Sequence, residues 1–340
     1  MDRVEQAIND IRNGKMVVMV DDEDRENEGD LVFAAAFSDT QKVNFAITHA
    51  KGVLCLALNE EIAKRLELNL MVDKNTSCHE TAFTVTIDAK STTTGVSAYE
   101  RDVTIRLAAD PLSKPEDFVR PGHIFPLIAK KGGVLSRTGH TEGSVDLCKY
   151  AGITEAAVIC EIVKEDGNMA RRPDLEAFCE KFGLNMISVS ELVEYRLKHE
   201  SLISINSNNP SKIAGFDAVR YEITDHKKNR HYAYVFGEIA KKSNVKFHKI
   251  MRDIELLSSK KFEDLMGSIR YLSRNGGVLV VMQDDESCEN AIKNYGIGAQ
   301  ILHKLGIEEI ELLSSHTHKE FVALKGFGLD IVAYKSDYGI

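Results

Sequence analysis

No apolar run in these 340 residues reaches the roughly 18 residues of a membrane-spanning helix. No Cys-x-x-Cys pair occurs among Cys55, Cys78, Cys148, Cys160, Cys179 and Cys288, so neither a structural zinc nor a redox dithiol is signalled. No basic tract stands out, and the formal net charge is −9. Both features argue against a general nucleic-acid or membrane binder. The start, MDRVEQAINDIRNGK, is charged from its second residue and has no signal-peptide core. Scattered cysteines with no export signal point to reduced thiols and a cytoplasmic protein. Internal repeats and low-complexity tracts are also missing.

What is present suits a globular protein of two domains, each long enough to bury its own core. In the first part, helix-like and strand-like patterns alternate. Val4, Ala7, Ile8 and Ile11 have helical spacing and stop at Gly14, a natural helix end. Residues 15–20 read as a buried strand, 43–50 as a helix, 52–58 as a strand and 60–68 as a helix. The β-branched run 83–87 reads as a strand, and 99–109 as a helix. A further strand is expected at 156–163, with helices near 173–182 and 190–199. The stretch SLISINSNNPSKIAG then clusters Ser, Asn and Pro, which places a domain boundary near residue 200. Beyond it, strands are expected at 216–223, 232–239 and 277–282, and helices at 262–273 and 298–305. The expected class is α/β (α+β): a mixed-sheet domain with flanking helices over residues 1–199, then a smaller α/β domain over 200–340.

Four polar stretches exceed what folding needs. The first is DDEDRENEGD, residues 21–30, in which seven of ten side chains are carboxylates around the single Arg25. Such crowding is unfavourable unless positive charge sits within it. A divalent cation held by Glu26 or Glu28 oxygen and His140 nitrogen meets that need, and magnesium or manganese suits the donor mix better than calcium. A solvated acidic turn with a few salt bridges is the plain alternative. The second stretch is Asn75–Asp88 with Thr92–Ser97, rich in hydroxyls. The third, RPGHIFPL, offers His123 in a stiff Pro-Gly-His loop, with a side chain suited to moving protons near neutral pH. The fourth is SRTGHTEGSVDL. There Arg137 precedes a helix whose expected N-cap is Thr141, an arrangement that cradles phosphate or simply caps a helix beside a surface arginine. Glu161 interrupts the apolar strand VICEIV, so it is paired, perturbed or at a strand end facing water.

In this order, DDEDRENEGD, NTSCHETAFTVTID, TTTGVSAYERDVTI, RPGHIFPL, GGVLSRTGHTE and CEIVKEDGNMAR resemble the 3,4-dihydroxy-2-butanone 4-phosphate synthases of riboflavin biosynthesis. The likeness covers residues 1–199 and rests on six separate blocks. It implies a lyase that converts ribulose 5-phosphate, a sugar phosphate, into 3,4-dihydroxy-2-butanone 4-phosphate and formate. It also implies Mg2+ or Mn2+ as cofactor and a homodimer formed through the first domain, with active sites at the subunit interface. By motif, Glu26 and His140 correspond to metal ligands. Arg25, Glu26, Asp30, Arg137, Thr138, Gly139, His140, Thr141 and Glu161 correspond to substrate contacts. His123, Glu161, Glu28 and Cys55 correspond to catalytic positions.

The runs GGVLVVMQDDES, Asn294–Lys319 and GFGLDIV resemble GTP cyclohydrolase II, an enzyme often fused behind such a synthase. The departures are large. That family holds catalytic zinc through three clustered cysteines, and the matching region, near Phe247–Ile269, has none. Its arginine-rich turn is replaced by Gln283-Asp284-Asp285-Glu286, and its Asp and Arg by Ala291 and Lys293. No zinc and no cyclohydrolase activity are therefore expected, and the second domain is expected to be degenerate. A bifunctional enzyme retaining GTP cyclohydrolase II activity, and a non-enzymatic scaffold for a complex, are the alternatives.

Overall fold

The structure is a computed structural model that describes residues 2–23, 25–226, 228–283, 291–314 and 329–336, with side chains 291–295 excepted. Asp24, the Asp284–Glu286 carboxylates, Cys288, and parts of the three cyclohydrolase-like runs lie outside the described residues. The chain divides into two compact units, Met1–Val193 and Glu194–Ile340.

The first unit runs α1 (Arg3–Arg12), β1 (Val17–Val20), β2 (Gly29–Ala34), α2 (Thr40–Phe45), β3 (Cys55–Leu58), α3 (Glu60–Arg65), β4 (Ile87–Ala89), α4 (Ala98–Ala109), β5 (Phe118–Ile128), α5 (His140–Ala151), β6 (Ala156–Glu161), α6 (Arg172–Phe182) and β7 (Asn185–Ser188). A helix α7 (Val189–His199) follows. The strands form one mixed sheet in the order β4-β5-β3-β6-β2-β1-β7, with β3–β5 and β1–β7 parallel and the other pairs antiparallel.

Strand alternation divides this sheet's side chains between two faces. Val18, Val20, Leu31, Phe33, Leu56, Leu58, Val158 and Cys160 pack with Val43, Ile62, Ile105 and Leu175 from α2, α3, α4 and α6. On the opposite face, α5 lies against β1, β2, β3 and β6, and α1 packs beside it. Residues of opposite parity, including Asp30, Cys55 and Glu161, therefore belong to the face of α5. Asp30 pairs with Glu161, and Cys55 with Ile159, in the strand registers. Directly opposed residues share a face, so the sheet itself assembles part of a site.

The second unit runs β8 (Ile203–Ile213), β9 (Phe216–Asp225), β10 (Arg230–Phe236), β11 (Lys242–Lys249), α8 (Asp253–Leu257), α9 (Lys261–Asn275), β12 (Gly277–Met282), α10 (Ala291–Lys304), β13 (Glu309–Leu313) and β14 (Asp330–Lys335). Its sheet order is β14-β13-β11-β12-β10-β9-β8. Phe236, Ile269, Leu272, Leu279 and Leu313 form a core between α9 and the sheet. The mixed α/β class expected from the sequence holds.

One strand is not expected from the sequence, and one expected strand fails. Most of Ser201–Gly215, whose Ser, Asn and Pro signal only a domain boundary, is β8, paired with β9 from Ile203↔Asp225 to Ile213↔Phe216. As the terminal strand of its sheet it is largely exposed, so it lacks apolar alternation, and an edge tolerates Pro210. Residues 83–87 fail to form a continuous strand. Phe83 and Thr84 make only isolated bridges, and β4 begins at Ile87.

Candidate active site

The acidic loop between β1 and β2 is organised by Asp21. Its Oδ2 accepts from Arg25 Nη1 (2.8 Å) and the Glu26 amide (3.0 Å), and its Oδ1 accepts from the Glu28 amide (2.8 Å). Arg25 Nη1 also donates to Glu26 Oε2 at 2.8 Å. The loop's lone arginine thus offsets two of the crowded carboxylates, those of Asp21 and Glu26. Burial works against the Arg25 charge, but Glu26 and Asp21 outweigh it and raise its pKa. Arg171 fastens the loop from outside, donating to the Glu26 and Asn27 carbonyls. It also lies 3.8 Å from the Glu28 carboxylate, whose pKa burial raises.

Helix α5 begins beneath this loop. His140 Nδ1 lies 3.6 Å from Glu26 Oε2 and 3.9 Å from Asp30 Oδ1. The contact with His140, opposed by burial and aided by Arg25, holds the Glu26 carboxyl down at about 2. Burial pushes the Asp30 carboxyl well above the usual carboxylate range. For His140, burial is the strongest single influence and opposes the charge. Asp30 and Glu26 together overcome it and raise the imidazole to about 9. His140 Nε2 and Asp30 Oδ1 are buried without hydrogen-bond partners. Such unsatisfied atoms are costly and mark a place for a ligand. Donor atoms of Asp21, Glu26 and His140 also lie within 4.8 Å of one another. Carboxylate oxygen with one imidazole nitrogen fits a hard divalent ion.

Thr141 is not the N-cap of α5. Gly139 is, with no side-chain cap, and Thr141 is the second helical residue, buried. A Cβ on Gly139 would stand 2.2 Å from Arg137 Nη1, which explains the glycine. Arg137 is held on three sides. Nη1 donates to the buried Glu142 (2.6 Å), Nε and Nη2 donate to the His79 carbonyl (3.2 and 3.0 Å), and Nη2 donates to Thr81 Oγ1 (3.0 Å). Thr138 is half-buried just before the cap.

Glu161 ends β6. Its Oε2 accepts from the Val53 amide at 2.8 Å, and its carbonyl accepts from the Gly52 amide at 3.0 Å. It is thus both a strand-end residue and a paired one. Cys55 is buried on the same face, and burial, with Glu161 and Asp30 nearby, raises its pKa. Its thiol is therefore a proton-bearing group, not a thiolate.

His123 sits within β5, so RPGHIFPL is strand, not loop. The strand bulges here, because Ile87 pairs with Ile124 while Asp88 pairs with Val119. A Cβ on Gly122 would meet the Ile87 carbonyl carbon at 2.0 Å, so only glycine fits. The bulge turns His123 onto Asp88: Nδ1 lies 2.7 Å from Oδ2, and the His123 amide donates to Oδ1 at 2.9 Å. Among the described residues, no hydrogen bond or ion pair joins this pair to the Glu26–His140 group.

With that geometry, comparison with known proteins is decisive. The sequence pattern of 3,4-dihydroxy-2-butanone 4-phosphate synthase matches residues 5–195. A Campylobacter jejuni protein of that name is 61% identical over 330 residues, covering 97% of both chains. The chain belongs to the 3,4-dihydroxy-2-butanone 4-phosphate synthase family. It is an enzyme, as the family's members are. A crystal structure of RibBX, a two-domain 3,4-dihydroxy-2-butanone 4-phosphate synthase from A. baumannii, matches with a TM-score of 0.85 at 41% identity, covering 98% of this chain and all of that one. A 3,4-dihydroxy-2-butanone 4-phosphate synthase solved in complex with two magnesium ions matches with a TM-score of 0.56 at 39% identity, covering 58% of this chain and 98% of that one. The GTP cyclohydrolase II pattern matches only residues 283–336.

Sequence reasoning assigned no role to four residues of this synthase site. Asp21 lay in the quoted run, but nothing marked it as the loop's organiser. Glu142 and Asp88 stood in quoted motifs, and the need of Arg137 and His123 for carboxylate partners was the available signal. His79, whose Nε2 is 4.0 Å from Glu26 Oε1, stood in the same quoted motif as Asp88, but nothing there marked it as facing Glu26.

Proposed function

We propose that the first domain, assigned here as residues 1–199, converts D-ribulose 5-phosphate into 3,4-dihydroxy-2-butanone 4-phosphate and formate for riboflavin biosynthesis. The observation that carries this reading is the meeting of Glu26 and His140, 3.6 Å apart, over a buried, unsatisfied Asp30. Glu26 and His140 would hold a magnesium or manganese ion. When bound, such an ion polarises the carbonyl of the sugar phosphate and stabilises negative charge on its oxygens.

The protein's own groups then divide the remaining work. The first turn of α5 leaves N–H groups without intrahelical partners, and they face the phosphate together with Arg137 and Thr141. Arg137 has five N–H donors and four are engaged, so one on Nη1 stays available to a phosphate oxygen. Arg25 holds Glu26 in place and offers charge to the substrate. Burial raises the pKa of both Glu28 and Asp30, and Asp30, raised to about 7, suits proton transfer near neutrality. Glu161, aimed by the Val53 amide, and Cys55, a neutral donor, complete the sheet side of the site. His123, set by Asp88, moves protons in the later dehydration, rearrangement and formate-release steps.

We further propose a homodimer through the first domain. His123 and Asp88 form a group separate from Glu26 and His140, and Leu70, Met71, Val72, Val96 and Tyr99 leave apolar surface exposed. A second copy that covers this surface and brings His123 to the metal group accounts for both. A cytoplasmic location suits the free thiols of Cys55, Cys78, Cys148, Cys160 and Cys179.

The second domain, residues 200–340, is read as inactive toward GTP. Its cyclohydrolase likeness begins at residue 283, after the cysteine-free Phe247–Ile269 region that would have to hold zinc. The test is an assay of the purified chain with ribulose 5-phosphate and magnesium, scored for formate. Formate from wild type and none from Glu26→Ala is the expected result. Equal formate from both would remove the reading.

A further inference from the structure

Residues 75–81 form a loop closed on itself. Asn75 Nδ2 donates to the Thr81 carbonyl (2.9 Å), and the Ser77 amide and hydroxyl donate back to Asn75 Oδ1 (3.0 and 2.9 Å). Arg137 clamps the loop through the His79 carbonyl and Thr81 Oγ1. Because Arg137 is itself fixed by buried Glu142, the loop is tied to the start of α5. The backbone of His79 is thereby held, and its imidazole faces Glu26.

Glu26 divides its two oxygens. Oε2 faces Arg25 and His140, while Oε1 faces His79. The 4.0 Å from His79 Nε2 to Glu26 Oε1 is too long for a direct hydrogen bond. It is well suited to an inserted hydroxyl. An oxygen about 2.8 Å from both atoms would sit at the apex of an angle of about 90°, accepting from Nε2–H and donating to the carboxylate. The His79 side chain is 39% exposed, so one edge faces the carboxylate and the other is open to an arriving ligand.

We propose that His79 is a specificity-determining residue, contacting a hydroxyl of the open-chain sugar phosphate on the solvent side of Glu26. This rests on the functional reading above and names the residue that closes the site opposite His140. A sugar lacking that hydroxyl would leave His79 and Glu26 Oε1 unbridged, which is the physical basis of discrimination.

The test compares wild type, His79→Phe and His79→Gln by steady-state kinetics with ribulose 5-phosphate, alongside calorimetric titration of each protein with magnesium alone. Phenylalanine should raise KM about tenfold with magnesium affinity unchanged, and glutamine, whose amide still donates, should recover most of the loss. Wild-type KM and kcat in His79→Phe would overturn the inference. So would a parallel loss of magnesium affinity, which would make His79 part of the metal group. Wild type inactive on ribulose 5-phosphate would remove the functional reading and the inference with it. If His79→Phe alone changes nothing while wild type turns over, only the inference falls.

Discussion

Asp21 and Arg25 form a buried ion pair of 2.8 Å inside the acidic loop, with side chains 0% and 7% exposed. This pair gives the crowded loop one internal positive charge, shared between Asp21 and Glu26. It also sets where Glu26 points, since the same Arg25 nitrogen reaches Glu26 Oε2.

Asp21→Asn should therefore weaken metal binding without touching the proposed ligands. The loop loses its main anchor, and groups that orient ligands typically change affinity about 10–100-fold when altered. Magnesium titration by calorimetry measures this directly. An unchanged affinity would show that Asp21 only fills space.

Glu26→Gln keeps the size of the side chain and removes its charge. Turnover of ribulose 5-phosphate should drop by about 10³-fold, in the range seen when a group stabilising developing charge is lost. His140 loses one of the carboxylates that raise it, so its pKa should move down from about 9, which a histidine proton NMR titration would detect. A fixed His140 pKa would contradict the assigned contact.

Metal affinity should rise with pH. In the metal-free protein His140 keeps its proton up to about 9, and Asp30 keeps one well above the ordinary carboxylate range. A cation held by His140 must displace the imidazole proton, and its charge favours loss of the Asp30 proton. For stability the sign follows from linkage. The raised His140 contributes stability that is complete below its unfolded pKa near 6.5 and lost as pH rises through about 9. Glu26 contributes above about 4.5 and is lost as pH falls through about 2. Magnesium titrations from pH 6 to 9 should show tightening and proton release. A flat profile would count against the protonation pattern.

Asp88→Asn should slow turnover by about 10²-fold with magnesium affinity intact, because it disturbs the orientation of His123 and leaves the metal group alone. The comparison needs only kcat and a metal titration. Loss of metal binding in this variant would place His123 and Asp88 in a different role.

The full chain with GTP and zinc should release no formate, since nothing between Phe247 and Ile269 offers a thiolate. Zinc-dependent formate release from GTP would restore the bifunctional alternative.

Elements with a strong apolar period were legible before the structure. The helix spanning Val4, Ala7, Ile8 and Ile11 and the strand Gly277–Met282 are of this kind, because burial on one stripe or on both faces leaves a pattern. β8 was not legible, because an edge strand needs no apolar face. The start of α5 was misjudged by two residues. Thr141 looked like a cap, but the helix begins at His140 behind Gly139, where a Cβ would collide with Arg137 Nη1.

By itself the sequence determined the residue types: a carboxylate run with one arginine, histidines at 123 and 140, and the family's six motif blocks. It also determined the mixed α/β class through its alternating periods. Only the tertiary structure decided that Asp30 and Glu161 face one another, that Arg25 is neutralised within its own loop, that Arg137 clamps His79, and that Asp88 holds His123. Three of these are contacts between distant segments, set by strand register and by the packing of α5 on the sheet, while the Arg25 contacts are local and set by how the loop folds back on Asp21. Composition and local spacing carry no trace of such distances.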